Sequence, residues 1–85
     1  MSWDLIIDRQ AKKDLKRMPR DTAKRLLDAV TILPADPYAG DIEKIKGEER
    51  MWRRRIGAYR IIYDVSARQK LIRVYEIKRK TSSTY

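Results

Sequence analysis

The chain has 85 residues, of which 42% are apolar, so it has room for one domain with a single modest core. It contains neither cysteine nor histidine, which excludes disulfides, the usual zinc sites and catalysis by an imidazole base. Lysine and arginine number 21 against 12 acidic residues, and the net charge of +9 is typical of a protein that binds a polyanion such as RNA.

The sequence gives no sign of a membrane segment. No stretch approaches the roughly 20 apolar residues that a membrane-spanning helix needs. The first eight residues have no basic flank and no small-residue cleavage site, unlike a signal peptide. We therefore expect a cytoplasmic protein, with no membrane partner, that forms a single domain over residues 1–85.

The N-terminal part of the chain predicts one strand and two helices. Alternating apolar residues over 3–7 predict the strand, and Asp8 is placed to cap the helix that follows. Apolar residues recur at spacings of three and four over 9–18, where Pro19 ends the first helix, and again over 23–33. Because the link between the helices is short, they are predicted to form an antiparallel hairpin.

The C-terminal half predicts a sheet. Residues 36–50 hold two of the three glycines and are predicted to be a polar connection. The runs 51–56, 59–65 and 71–78 are rich in β-branched and aromatic residues, and their short links predict a three-stranded antiparallel meander. The predicted fold is therefore α+β, in the order β-α-α-β-β-β, with the helices packed on one face of the sheet.

Strand alternation sorts several cations by face. Arg53, Arg55 and Arg60 are predicted to lie together on the uncovered face. Three crowded guanidinium groups repel one another unless an anion sits among them, so this pattern indicates a phosphate-binding group. Arg54 falls on the core side, where we expect it to reach the sheet edge or to pair with a helix carboxylate such as Asp28.

The last strand leaves its orientation open, because both of its alternating rows contain apolar residues. One row holds Arg73, Tyr75, Ile77 and Arg79, and the other holds Ile72, Val74, Glu76 and Lys78. Apolar residues on the uncovered face would need cover by a partner. We expect these residues to be Ile62, Tyr75 and Ile77.

Two segments carry a family resemblance. Lys-Ile-Lys-Gly at 44–47 and the run 52–65, which contains Arg-Ile-Gly-Ala-Tyr-Arg-Ile-Ile-Tyr, resemble the signature of the RelE/ParE toxin superfamily. The basic strand 72–80 followed by Tyr85 is similar to the end of those proteins. The resemblance spans nearly the whole chain. It implies a toxin of a toxin–antitoxin pair that is silenced by a cognate antitoxin, which we expect to be acidic because the chain is basic.

The resemblance also implies an activity. The RelE branch cuts translated mRNA in the ribosomal A site, and we favour this branch, with no cofactor and no metal. Met51 stands near the place of a family active-site lysine. The residues predicted to be catalytic are Arg53, Arg60, Arg79 and Tyr85, and those predicted to bind RNA are Lys44, Lys46, Arg55, Lys78 and Lys80.

Two alternatives remain open. The ParE branch implies a DNA gyrase inhibitor of the same fold, without nuclease chemistry. The other alternative is a homologue that has lost catalysis and only binds RNA or an antitoxin. The absence of the family lysine leaves this alternative open.

Overall fold

A five-stranded sheet and two helices form the computed structural model, which describes residues 3–38, 40–47 and 50–79. One strand and both helices come first, and four strands follow. In chain order the elements are β1 (Asp4–Ile7), α1 (Arg9–Lys16), α2 (Arg20–Ile32), β2 (Ile42–Lys44), β3 (Met51–Ile56), β4 (Tyr59–Ser66) and β5 (Leu71–Arg79).

The strands lie in the order β1-β5-β4-β3-β2. Strands β3, β4 and β5 form the predicted antiparallel meander. Strand β1 pairs in parallel with β5, where the Cα partner of Asp4 is Leu71, so the sheet is mixed rather than purely antiparallel. The connection between two parallel strands must cross over, and here it contains both helices and the other three strands. The predicted α+β class and the placement of the helices on one sheet face are confirmed.

One prediction about residues 36–50 was wrong, because part of this segment is a strand. Strand β2 pairs antiparallel with β3, with Glu43 as the Cα partner of Arg53. The backbone N–H of Arg55 donates to the carbonyl of Asp41 at 2.9 Å and extends this ladder by one further bond. A strand of three residues with one apolar side chain is held by these backbone bonds, so it carries no alternation that the sequence could show.

The core lies between α2 and the centre of the sheet. Its fully buried side chains include Leu26 and Val30 of α2, Tyr63 of β4 and Ile72 of β5. Burial of each such side chain stabilises the fold by about 1.5–3 kcal/mol. The Tyr63 hydroxyl also donates a hydrogen bond of 2.8 Å to the carbonyl of Pro37, which ties the segment after α2 to the core.

A β-bulge interrupts the alternation of β5. Ile62 pairs with Glu76 but Tyr63 pairs with Val74, which leaves Tyr75 as the extra residue. Each side chain of β5 after the bulge therefore lies on the opposite face of the sheet from the one that strict alternation would give it. As a result Ile77 is 2% exposed and belongs to the core, so its predicted place on the uncovered face was wrong, and neither of the two strictly alternating rows occurs.

Helix α1 satisfies the backbone at this bulge. The N–H of Ile77 donates to the Asp14 carboxylate at 2.9 Å, and the Gln10 side-chain amide donates to the other carboxylate oxygen at 2.9 Å. Asp8 stands at the N-cap position of α1, but its side chain makes no cap hydrogen bond, contrary to the prediction. Its backbone N–H instead donates to Val74 at 2.9 Å, which holds the start of α1 to β5.

The helices of the described ranges are short. Neither α1 nor α2 is long and apolar enough to cross a lipid bilayer.

Candidate functional site

The face of the sheet away from the helices, here called the open face, carries a cluster of cations. Arg55 and Arg60 are Cα partners across β3 and β4, and Arg60 and Lys78 are partners across β4 and β5. Directly paired residues of neighbouring strands place their side chains on the same face. The predicted grouping of Arg53, Arg55 and Arg60 is therefore found, and Lys78 joins it.

Three of these cations line a small cavity, here called the arginine pocket. It has a volume of about 140 Å³. Its lining residues are Asp41, Glu43, Arg53, Arg55 and Arg60. The pocket is open to solvent and of a size that suits a phosphate group rather than a whole nucleotide.

Two carboxylates that the sequence reasoning missed pair with the arginines of this pocket. Arg53 Nη2 lies 3.2 Å from Glu43 Oε1, and Arg55 Nε lies 3.5 Å from Asp41 Oδ2. Arg53 Nε is buried and has no hydrogen-bond partner within the described ranges, so one strong donor at the pocket is unused. Three guanidinium groups and two carboxylates leave the pocket with a single net positive charge.

Arg79 does not join the cluster. Its Cα partner is Tyr59, and it follows Ile77 by two positions, which puts it in phase with the side chains that face the helices. The bulge at Tyr75 is the cause, since it shifts every residue after it. Lys78, which was predicted to bind RNA, therefore lies beside Arg60, and its Nζ is 3.5 Å from Glu76 Oε1.

The remaining predicted site residues are dispersed. Lys44 is the Cα partner of Trp52 and lies out of phase with Glu43 and Arg53, and Lys46 lies in the turn after β2. Both are exposed. Tyr85 and Lys80 lie outside the residues that the structure describes.

Arg54 has a structural environment on the core side of β3. Its guanidinium lies against Gly40, where an added Cβ would be 2.9 Å from Arg54 Nε. Burial raises the pKa of Tyr63 to about 12, and the nearby positive charge of Arg54 opposes that shift. Of the two alternatives expected for Arg54, the ion pair with a helix carboxylate such as Asp28 is wrong, because the ion pairs between described residues do not include Arg54.

A wider groove runs along the open face next to the arginine pocket and is here called the edge groove. Its volume is about 810 Å³. Its lining residues are Ile45, Gly47, Arg50, Met51, Ile62, Asp64, Tyr75 and Glu76. Ile62 and Tyr75 lie on its floor and are half-buried, as expected for apolar residues of the open face, and the guanidinium of Arg73 lies 5.9 Å from the centre of the Tyr75 ring.

Neither cavity offers an evident metal site. No group of three or more His, Cys, Asp or Glu side chains within residues 3–38, 40–47 and 50–79 is arranged to hold a metal ion. The two cavities offer a cluster of arginines, two of them paired with carboxylates, beside a groove that is partly apolar. This combination can bind the phosphate and the flat face of a base in a single-stranded nucleic acid.

The sequence matches a known protein family over most of its length. A family profile described as the ParE toxin of type II toxin–antitoxin systems, parDE, matches residues 5–82. The chain is similar to the curated RelE1 protein of Methanocaldococcus jannaschii, with 29% identity over 83 residues, which cover 94% of this chain and 92% of that protein.

Solved structures show the same architecture. A chain of the archaeal RelE–RelB complex from Pyrococcus horikoshii OT3 matches with a TM-score of 0.83 and 28% identity, over 98% of this chain and 100% of that chain. The isolated E. coli RelE toxin matches with a TM-score of 0.81 and 16% identity, over 98% of this chain and 89% of that chain, which shows the fold alone. Because the family profile covers most of the sequence, the resemblance predicted from the arginine-rich hairpin is confirmed, and the chain belongs to the ParE toxin family of type II toxin–antitoxin systems, within the RelE/ParE superfamily.

Proposed function

We propose that this toxin is a metal-independent endoribonuclease that cuts mRNA on the ribosome and so inhibits translation. One observation carries the proposal. Arg53, Arg55 and Arg60 line a single pocket on the open face, and Lys78 lies across from Arg60. A cluster of guanidinium groups that line one small cavity is suited to hold one phosphate in a fixed orientation.

RNA supplies the nucleophile itself. In the proposed reaction the 2′ oxygen forms a bond to the adjacent phosphorus while the bond from phosphorus to the 5′ oxygen breaks. The 2′ hydroxyl loses its proton and the departing 5′ oxygen gains one. The protein must therefore hold the three atoms in line and neutralise the charge that develops on the phosphate oxygens.

Arg60 is best placed to stabilise that charge. Its Cα lies between those of Arg55 and Lys78 across three neighbouring strands, so cations flank it on both sides. It is half-buried, which strengthens its interaction with a charged ligand. Removal of one such preorganised donor costs about 3 kcal/mol of transition-state stabilisation in other enzymes.

Without the ribosome, the protein offers few groups that could transfer the protons of this reaction. The chain has no histidine, and the amine next to Arg60 is that of Lys78. Tyr85, to which the resemblance assigns a role in activating the hydroxyl, is proposed to act there too. A site with strong charge stabilisation and no imidazole base favours a reaction that needs the ribosome to orient the message.

Arg60→Ala tests the proposal. We expect it to lower the rate of translation-dependent mRNA cleavage by about 100-fold, measured by primer extension on a translated message. Arg68→Ala is the matched control, because Arg68 is exposed in the turn before β5 and its removal changes the net charge equally. Equal cleavage by the Arg60 and Arg68 variants would refute the assignment of the site.

Gyrase inhibition is a second candidate. Two observations favour it: the bulge in β5 turns Arg79 away from Arg60, and Met51 stands in place of the family lysine. Both reduce the number of groups available for catalysis. Pulse labelling of new protein, beside a DNA supercoiling assay, separates the two candidates, since a nuclease stops translation first and a gyrase inhibitor stops supercoiling first.

We also propose a cytoplasmic location, a single domain over residues 1–85 and an acidic antitoxin as the partner. The related structures from P. horikoshii and M. jannaschii are RelB–RelE complexes, which supports such a partner. The net charge of +9 and the partly apolar floor of the edge groove favour an acidic, amphipathic segment. The toxin–antitoxin complex should therefore melt at a markedly higher temperature than the toxin alone.

A further inference from the structure

The arginine pocket already contains anions that belong to the chain. Glu43 is the direct Cα partner of Arg53, and the backbone bond from Arg55 to Asp41 puts the next carboxylate opposite the next arginine. The ion pairs measure 3.2 Å for Glu43 with Arg53 and 3.5 Å for Asp41 with Arg55. Each outward-facing arginine of β3 thus has one acidic residue across from it on the edge of the sheet.

Another anion can readily displace the two carboxylates from their arginines. The side chains of Asp41 and Glu43 are 66% and 61% exposed, so a displaced carboxylate returns to water at little cost. Exposed ion pairs of this kind contribute little to the stability of a fold. A phosphodiester that enters the pocket offers the same arginines a competing anion, together with further contacts to Arg60, which forms no ion pair with the other described residues.

We propose that Asp41 and Glu43 are internal counter-ions that compete with the RNA backbone for Arg55 and Arg53. RNA reaches the paired groups of Arg53 and Arg55 only by displacing them, so the two carboxylates hold the affinity of the pocket for RNA below the value that the arginines alone would give. The inference rests on the proposed function, because it takes RNA as the ligand. It adds Glu43 of β2 and Asp41, the residue just before β2, as residues that set how tightly the substrate binds.

Neutral isosteres test the proposal. The affinity for a single-stranded RNA oligonucleotide would be measured for the wild type, Glu43→Gln and Asp41→Asn over a series of salt concentrations. We expect each substitution to raise the affinity by roughly two- to fivefold. The slope of log affinity against log salt should also steepen, because salt weakens the ion pair that competes with RNA in the wild type and so narrows the gain from each substitution.

Asp28→Asn is the matched control. It adds the same net charge, but Asp28 is exposed on α2, in the layer on the other side of the sheet, and forms no ion pair with any other described residue. At an ionic strength of about 0.1 M its effect on the pocket is screened. It should leave both the affinity and the salt slope close to the wild-type values.

The outcomes distinguish the two proposals. If the wild type binds RNA and the Glu43 and Asp41 variants match Asp28→Asn, the competition is refuted while the proposed function stands. A loss of affinity in these variants would also refute it, because it would mean that the carboxylates position the arginines. If neither the wild type nor the variants bind RNA, the competition is refuted, while the proposed function, in which the ribosome orients the message, is decided by the Arg60→Ala cleavage assay. RNA binding by the Glu43 or Asp41 variants alone supports the competition.

Discussion

Replacement of Asp14 by alanine should destabilise the fold more than its place on an exposed helix suggests. Asp14 Oδ2 accepts the hydrogen bond of 2.9 Å from the N–H of Ile77, a residue that is 2% exposed. Without the carboxylate this buried donor has no partner, which costs about 1–3 kcal/mol. We expect a loss of about 2 kcal/mol, which in a domain of this size lowers Tm by roughly 10 °C.

Urea unfolding of three variants measures this effect. Asp14→Ala should show the full loss, and Asp14→Asn, which keeps a carbonyl oxygen, should show a smaller one. Gln10→Ala removes only the exposed bond to the same carboxylate and should change the free energy of unfolding by no more than about 0.5 kcal/mol. If Asp14→Ala and Gln10→Ala agree within that margin, the bulge does not depend on α1 and the argument fails.

Two further predictions concern stability. The pKa of Tyr63 is raised from 10.0 to about 12, so the buried neutral phenol stabilises the fold fully below pH 10 and loses about 2 kcal/mol of that contribution as the pH rises to 12. Denaturation at pH 8 and pH 11.5 should show this loss in the wild type and not in Tyr63→Phe; an equal loss in both would contradict it. Gly40 and Gly47 have φ of +85° and +87°, but a Cβ meets Arg54 only at Gly40. Both Gly→Ala variants should therefore lose about 1 kcal/mol or more in a thermal melt, with the larger loss at Gly40; equal losses at the two positions would contradict the role of the Arg54 contact.

The sequence predicted the elements that carry an apolar period. Strand β3 has the predicted bounds of 51–56, and α2 and β4 follow their apolar stripes closely. Strand β2 was missed because its three residues follow no such period. The bulge was missed for a different reason: the buried residues Ile72, Val74 and Ile77 are spaced by two and then three, and that change of spacing was the available signal.

The same difference between regular and irregular strands explains which residues of the candidate site could be predicted from the sequence. Arg53, Arg55 and Arg60 lie on strands whose alternation is unbroken between them, so their shared face followed from the sequence. The positions of Lys78 and Arg79 depend on the bulge, which comes before them in the chain. The carboxylates of Asp41 and Glu43 depend on β2, so they could not be placed opposite the arginines without knowledge of that strand.

The parallel pairing of β1 with β5 bears on when the protein can become active during its own synthesis. Leu5 and Ile7 lie beside Ile72 and Val74, so the first strand of a growing chain has no neighbour until almost the last described residue has been made. Such distant contacts also form slowly. A nascent chain from which residues 71–74 have yet to emerge therefore has an unfinished sheet, and the interval before the sheet closes is one in which a protective partner can meet the toxin before it can do harm.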